Sequence, residues 1–382
     1  MTAVTPRPLR VLTFLHSFEP GGVERVALRL HRAWLAQGVD ARLVLGRTDG
    51  AMRREWPGLD ADVLNSHGLP TAAWETLWMM LRLPGRIRHH RPDVLFCAGN
   101  SYTVVAVVMR LVLGKRCPPI LAKISNDLTR ADLPAVARPF YRLWLRIQGR
   151  LLHRVVGMAQ PMRAELETLM GVAPDRVAII DDPALDEAQI AHLEALPRPP
   201  HDRAAGRRFL AIGRLAAQKN FPLLLRAFAR IARDGDRLTI LGEGGARKGL
   251  EALARSLGLG VGVGGRVALP GHVNPVSDAL LAADALVMSS DYEGVPAVVP
   301  EALAAGLPVV STDCSVSMAD LLGHGRFGLL VPVRDEAALA GAMDRITALP
   351  FDSTAARAQA RRFTVEIAAQ SYVVEMQRLV HG

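Results

Sequence analysis

Cysteine is scarce: Cys97, Cys117 and Cys314 are the three in 382 residues. An odd, scattered set gives neither a disulfide framework nor the close spacing of a zinc site, and it fits a reducing cytoplasm. Long apolar runs are missing too. The longest, Tyr102 to Leu113, is broken by Arg110 and falls short of the ~20 residues that span a bilayer. Leu9 to Leu15 is too short and too soon interrupted for a signal peptide, so the expectation is a cytoplasmic protein. The dinucleotide fingerprint Gly-x-Gly-x-x-Gly does not follow the first strand candidate, which argues against a nicotinamide enzyme. Solenoid-length repeats, low-complexity tracts and the aromatic-interleaved or recognition-helix patterns of nucleic-acid binders are likewise missing.

What is present is globular. The chain is longer than one hydrophobic core usually serves, so two domains are expected. Hydrophobic residues make up 50% and charged ones 22%, an ordinary balance for a packed protein. The net charge of +9 is uneven: residues 1–190 carry 25 Lys and Arg against 18 Asp and Glu, residues 191–382 carry 21 against 19. A basic first half suits an anionic lipid surface or a pyrophosphate-linked acceptor, or else it simply solvates the protein.

Apolar runs of strand length alternate with amphipathic runs of helix length throughout, the pattern of a doubly wound α/β protein. Strands are expected at Val11–Leu15, Ala41–Leu45, Asp93–Cys97, Ile120–Ile124, Val155–Gly157 and Val177–Ile180, with helices at Gly22–Gln37, Thr71–His89, Val104–Leu113 and Pro139–Leu152. The second half repeats this with strands at Phe209–Ile212, Leu238–Leu241, Val267–Leu269, Ala285–Met288, Val309–Ser311 and Leu329–Val331. Its helices are expected at Phe221–Ala232, Lys248–Leu257, Ser277–Leu281, Glu301–Ala305 and Glu336–Thr347. A proline-rich, charged stretch at 196–206 reads as the linker between Rossmann-like domains at 1–195 and 207–363. Residues 364–382 form a final helix, expected to cross back to the first domain.

Several loops after strands carry chemistry. In an open parallel sheet, ligands sit at the carboxyl ends of the strands. Gly21 and Gly22 open the first helix, where backbone N–H groups and the helix dipole favour a phosphate; the alternative is a tight turn needing positive φ. Arg214 and Lys219 share one strand-to-helix loop and can clamp a diphosphate, as a fork and a point charge; otherwise they are solvated surface cations. After Ala285–Met288 comes Ser289 to Glu301, with Glu293, Gly294 and Val295 on the loop and Glu301 at the following helix. Both carboxylates would project into the same crevice and accept hydrogen bonds from hydroxyls on two parts of one ligand. Val273, in Pro-Gly-His272-Val-Asn-Pro, offers an apolar contact to a flat base, and His272 is a weaker candidate. The loop Lys123–Asp127 places Ser125 and Asn126 where an acceptor or a sugar hydroxyl would lie, with a helix cap or Asx-turn as the alternative.

One helix has a further pattern. Arg138, Arg142, Arg146, Arg150 and Arg154 recur every four residues beside Phe140, Leu143, Trp144, Ile147 and Leu151. The basic stripe beside an apolar face fits anionic headgroups at the inner face of the cytoplasmic membrane, or a helix packed on the sheet with a solvated basic side. Trp74 to Arg88 has the same ambiguity.

Taken in order, these motifs resemble the family 4 retaining glycosyltransferases of the GT-B fold. The resemblance covers nearly the whole chain and is densest from Gly213 to Asp313. It is carried by Gly-Gly-Val-Glu-Arg at 21–25, Gly-Arg-Leu…Gln-Lys-Asn at 213–220, Leu-Gly-Glu-Gly at 241–244, Leu-Pro-Gly-His-Val-Asn-Pro at 269–275, Ser-x-x-Glu-Gly-x-Pro-x4-Glu-Ala at 290–302 and Gly-Leu-Pro-Val-Val-Ser-Thr-Asp-Cys at 306–314. It implies two Rossmann-like domains facing across a cleft and a nucleotide-diphosphate sugar donor, a UDP-sugar first, held mainly by the C-terminal domain. It also implies that Gly22 contacts phosphate, with Gly21 beside it, and that Arg214 and Lys219 neutralise the departing diphosphate. Glu293 would hold sugar hydroxyls with the Gly294 and Val295 amides, and Glu301 the ribose. Neither metal nor cofactor is required. The acceptor would be a glycan or lipid-linked hydroxyl in bacterial surface polysaccharide synthesis. Where many members carry a His near the reacting centre, Ser125 and Asn126 stand here. Ser315-Val-Ser-Met318 replaces the usual Gly-Pro, and Val295 replaces the usual Phe. Rival readings are a GT-B epimerase, a phosphorylase, or a non-catalytic glycan- or nucleotide-binding scaffold.

Overall fold

The computed structural model describes residues 7–19, 21–64, 74–126, 128–129, 134–199, 201–202 and 205–381. Pro20, the stretch 71–73 of the second expected helix, Asp127, and Pro200, Arg203 and Ala204 of the expected linker lie outside these residues. The chain forms two compact units, Met1–Asp182 with Val365–Gly382, and Pro183–Thr364.

The first unit is built on seven parallel strands: β1 Arg10–Leu15, β2 Asp40–Leu45, β3 Asp62–Val63, β4 Val94–Cys97, β5 Ile120–Lys123, β6 Arg154–Gly157 and β7 Val177–Ile179. Their order across the sheet is β3-β2-β1-β4-β5-β6-β7. The second unit has six: β8 Arg208–Ile212, β9 Arg237–Leu241, β10 Val267–Gly271, β11 Ala285–Met288, β12 Val309–Thr312 and β13 Gly328–Val331, in the order β10-β9-β8-β11-β12-β13. Each sheet therefore reverses direction once, between β1 and β4 and between β8 and β11. Those reversals are the points where open α/β sheets leave a crevice. Central strands such as β4, β5, β11 and β12 are buried along their whole length. Helices cover both faces of a parallel sheet, which is why these strands read as unbroken apolar runs in the sequence.

Two expectations are corrected. The unit boundary lies at Asp182–Pro183, ahead of the proline-rich stretch, because the helix Glu187–Ala195 buries Ile190 and Leu193 in the core of the second unit. Its start is fixed by a capping box, in which the Asp186 carboxylate accepts from Gln189 N–H and the Gln189 side chain returns the bond. The helix expected to begin at Glu301 begins at Val298 instead and runs to Ala304, since Pro300 is tolerated within the first turn. The helix Val365–His381 packs in the first unit: Trp34 Nε1 donates to Ala369 O at 3.2 Å, and Tyr372 lies edge-on to Trp34 and Phe96.

Candidate functional site

In the second unit, the loops after β8 and β11 flank the crevice and are zipped together. Asp291 N–H donates to Gln218 O at 2.8 Å, Gln218 Nε2 to Tyr292 O at 2.9 Å, and Ser289 Oγ to Lys219 O at 2.8 Å. Asn220, in the left-handed region at φ 44°, starts the helix Phe221–Ile231 and donates from Nδ2 to Asp291 Oδ1 at 2.9 Å. Arg334 holds the other Asp291 oxygen at 2.9 Å. Inside this frame the Lys219 ammonium meets Glu293 Oε1 at 2.6 Å, with both side chains mostly buried. The two residues are 74 apart in sequence, so the crossover brings them together, not local spacing. Arg214, on the same loop as Lys219, is exposed and makes no ion pair with any described residue.

The peptide after Glu293 is fixed from below. Glu293 N–H donates to Cys314 O at 2.8 Å, and the Gly294 carbonyl accepts from Ser315 Oγ at 2.5 Å and Ser317 Oγ at 3.0 Å. Because a trans peptide sets its N–H opposite its C=O, the two serines also set the direction of the Val295 N–H. Ser315 and Ser317 had stood out in the sequence as departures from the family pattern, and this is what they do structurally. The Cys314 thiol is pushed up to about 12, by burial first and then by the Glu293 carboxylate. It stays protonated and is no nucleophile. Val273 and Val295 both pack, half-buried, against the core of this unit, and Glu301 is half-buried on Val298–Ala304. His272 is exposed. Gly242 has φ 141°, and a Cβ there would meet Gly213 O at 2.0 Å. The ends of β8 and β9 thus approach as only glycine allows.

Gly21, Gly22 and Asn126 belong to the first unit. Neither glycine has positive φ: Gly21 is extended at φ −129°, and Gly22 begins the helix Gly22–Ala36, so the tight-turn reading falls. A Cβ at Gly21 would meet Glu24 Oε2 at 2.0 Å, the end of a flexible side chain that would have to shift. Glu24 folds back over the start of its own helix and accepts from the Tyr102 hydroxyl at 2.7 Å. The Tyr102 oxygen in turn accepts from His16 N–H at 3.3 Å, and Glu75 lies 3.8 Å from the His16 ring. Burial lowers the His16 pKa, against the raising effect of Glu75 and Glu24. This His16–Glu24–Tyr102 group was not legible in the sequence beyond the glycine pair. Asn126 is exposed after β5, and its side chain bonds to no described residue, so the cap reading fails for it. Ser125 instead ties the loops after β4 and β5, donating from its N–H to Asn100 Oδ1 at 2.6 Å.

The helix Arg138–Leu151 buries Leu145, Gln148 and Gly149 against its unit. On its opposite side Phe140 is 75% exposed and Leu143 59%, with Ile147 in line and Arg142, Arg146 and Arg150 alongside. Among the described residues no helix is long and apolar enough to cross a membrane.

Comparison with solved structures settles the class of fold. The structure is similar to the lipopolysaccharide outer core galactosyltransferase WaaB, with a TM-score of 0.74 at 17% identity over 96% of this chain and 99% of that one. It is equally similar to HepE of Anabaena in complex with UDP, with a TM-score of 0.74 at 18% identity over 97% of this chain and all of the other. Both units are those of the GT-B fold. The model for glycosyltransferase family 4 matches residues 20–183, and that for glycosyl transferases group 1 matches residues 206–348. The chain belongs to the family 4 glycosyltransferases. It is 28% identical over 345 residues to the lipopolysaccharide core biosynthesis glycosyltransferase LpsE of Rhizobium meliloti strain 1021, spanning 88% of both chains. A shorter match, 38% identical over 127 residues and a third of each chain, is to a diphospho-undecaprenol-dependent N-acetylgalactosaminyltransferase of Campylobacter jejuni.

Proposed function

We propose that this glycosyltransferase moves a sugar, with retention of anomeric configuration, from a UDP-sugar to a hydroxyl of a lipid-linked glycan in bacterial surface polysaccharide synthesis. The observation that carries this is the zipped pair of loops that sets Lys219 against Glu293 at the sheet reversal of the second unit. The UDP complex of HepE supports the donor, and the names of LpsE, WaaB and the Campylobacter enzyme support the pathway class.

In this reading Lys219 and Arg214 take up the charge of the departing diphosphate, and Gly21 and Gly22, in the first unit, are candidate backbone N–H donors to phosphate. Glu293 holds the sugar hydroxyls, using the carboxylate oxygen that Lys219 leaves available, with the Gly294 and Val295 amides beside it. Glu301 binds the ribose hydroxyls and Val273 touches the base. The bond from the anomeric carbon to the diphosphate oxygen breaks and its electron pair leaves with UDP. The acceptor oxygen bonds to the same face of that carbon and passes its proton to the leaving phosphate; Asn126 is the first unit's candidate contact for the acceptor. Two preorganised cations stabilise this charge separation without a separate cofactor or metal. The stripe of Arg142, Arg146 and Arg150 beside Phe140, Leu143 and Ile147 rests on an anionic lipid surface, where cations meet headgroups and apolar side chains enter the acyl boundary.

A panel of UDP-, GDP- and dTDP-sugars scored by thermal shift tests the donor, and NMR of the product anomer tests retention. Lys219→Ala is expected to lower kcat by about 100- to 1,000-fold, and Glu301→Ala to weaken nucleotide binding by roughly tenfold to a hundredfold. Unchanged kinetics in both variants sink the assignment.

A further inference from the structure

We propose that a cavity in the first unit is a subsite for one uncharged sugar ring of the acceptor; this deepens the reading above by naming what that unit recognises. The cavity has a volume of about 120 Å³. The helix Arg138–Leu151 supplies Tyr141, Trp144 and Gln148 to its wall, and the loops after β4 and β5 supply Asn100 and Asn126. At the ~30 Å³ that each water occupies, such a volume holds about four waters, room for one face of a pyranose ring.

Gln148 decides what the cavity is for. It is 4% exposed, lines the cavity, and its side-chain amide bonds to no described residue. Buried polar groups are bonded in about nine cases of ten, and leaving one unbonded costs about 1–3 kcal/mol. The Gln148 amide is not among the side-chain atoms sealed from solvent without a partner, so it is reached through the cavity, by water or by a ligand that displaces it. A primary amide both donates and accepts, which matches a hydroxyl or an acetamido group. Asn126 brings a second uncommitted amide to the same space. Asn100 differs: its Oδ1 already accepts from Ser125 N–H and Oγ at 2.6 and 3.1 Å, so it shapes the wall and leaves binding to the others.

The remaining surface fits the other side of a sugar. Trp144 and Tyr141 offer rigid aromatic area of the kind that packs against apolar C–H groups while hydroxyls are bonded elsewhere. Among the described residues, no Asp, Glu, Lys or Arg lines the cavity. A uronate, an amino sugar or a phosphate would lose its hydration here without gaining a counter-charge. The ring is thus a neutral hexose or an N-acetylhexosamine.

Saturation-transfer NMR on the intact chain tests this, with galactose, glucose and N-acetylglucosamine as uncharged probes and glucuronate and glucosamine as charged ones. At least one uncharged probe is expected to bind, and Gln148→Leu to weaken it about tenfold. Probe binding that falls in Glu293→Gln but persists in Gln148→Leu belongs to the donor loops, where Glu293 holds sugar hydroxyls, and overturns the subsite. Gln148→Leu should also melt no lower than the parent, since the amide it removes bonds to no described residue. Any of three results overturns the subsite: no uncharged probe binds, binding survives Gln148→Leu, or Gln148→Leu melts lower, as loss of a purely structural water network would cause. UDP affinity, measured alongside, separates the two readings. Its absence removes the donor site while leaving Gln148-dependent sugar binding standing.

Discussion

The two units share one topology, and the places where polar groups are left uncommitted differ between them. In the second, the side chains around the sheet reversal are already engaged with each other: Lys219 with Glu293, Asn220 with Asp291, Arg334 with Asp291, and two serines with one carbonyl. In the first, Gln148 and Asn126 face space with their amides uncommitted, and Phe140 and Leu143 face outward. An engaged network holds one shape and suits a ligand of constant chemistry, such as a nucleotide diphosphate. Uncommitted amides and bare apolar side chains suit whatever acceptor and surface the particular protein serves.

The most damaging single change lies in the rigid unit. Asp236 is 1% exposed and holds Arg207 at 2.6 Å, and although burial opposes its ionisation, the Arg207 bonds keep its pKa below the ordinary carboxylate value. Asp236→Ala leaves Arg207 facing Asp344 alone and should cost about 3–5 kcal/mol, read as a fall in the denaturant midpoint. A cost under 1 kcal/mol would show that this unit does not depend on its internal ion pairs.

The first unit should instead be the acid-sensitive one. His16, His31 and His153 are all depressed by burial, and His31, which is 2% exposed, falls to about 4, with the charge of Asp60 opposing the shift. Below the unfolded value of about 6.5 the unfolded chain takes up a proton that the folded chain refuses. The His31 contribution is therefore fully present above that pH and is lost as pH falls toward 4, a change of about 3 kcal/mol. Stability curves of His31→Leu should be flatter across this window, and identical slopes for variant and parent refute the point.

Next in size is the proposed lipid contact. Reversing Arg142, Arg146 and Arg150 to Glu should reduce binding to vesicles of one-third phosphatidylglycerol by at least about a hundredfold, at roughly 1 kcal/mol per cation. Sedimentation unaltered by the reversal removes the contact. Smallest of all, Ser317→Ala leaves Ser315 still bonded to the Gly294 carbonyl and should cost only about 1 kcal/mol. If it alters donor-sugar preference more than stability, the serine pair tunes the sugar pocket.

Most strands were legible because parallel strands buried on both faces have to be apolar throughout, and the loops of the candidate site were legible as loops because glycine marks close backbone approach at their ends. Legibility ended where the signal is long-range or faint. Ser353–Arg361 buries only Ala356 and Ala360, too little for an apolar period to register. Glu187–Ala195 carried a readable capping box at Asp186 and Gln189, yet the proline run that follows drew the boundary to itself. Asn220, Asp291 and Arg334 meet from three separate loops, and no local pattern announces that. Gln148 looks like any polar residue in a helix until the cavity beside it is seen.

The first unit is interrupted by the second, and that sets an order for biogenesis. A ribosome makes residues 183–364 as one uninterrupted block, free to fold as they emerge. The earlier half has to wait, because Tyr372 fills the space between Trp34 and Phe96 and Ala369 takes the indole N–H bond. The unit begun first is completed second. Until Val365–His381 arrives, Trp34 and Phe96 stay open to chaperones, so a nascent chain stalled near residue 364 carries a finished second unit and an unsealed first unit.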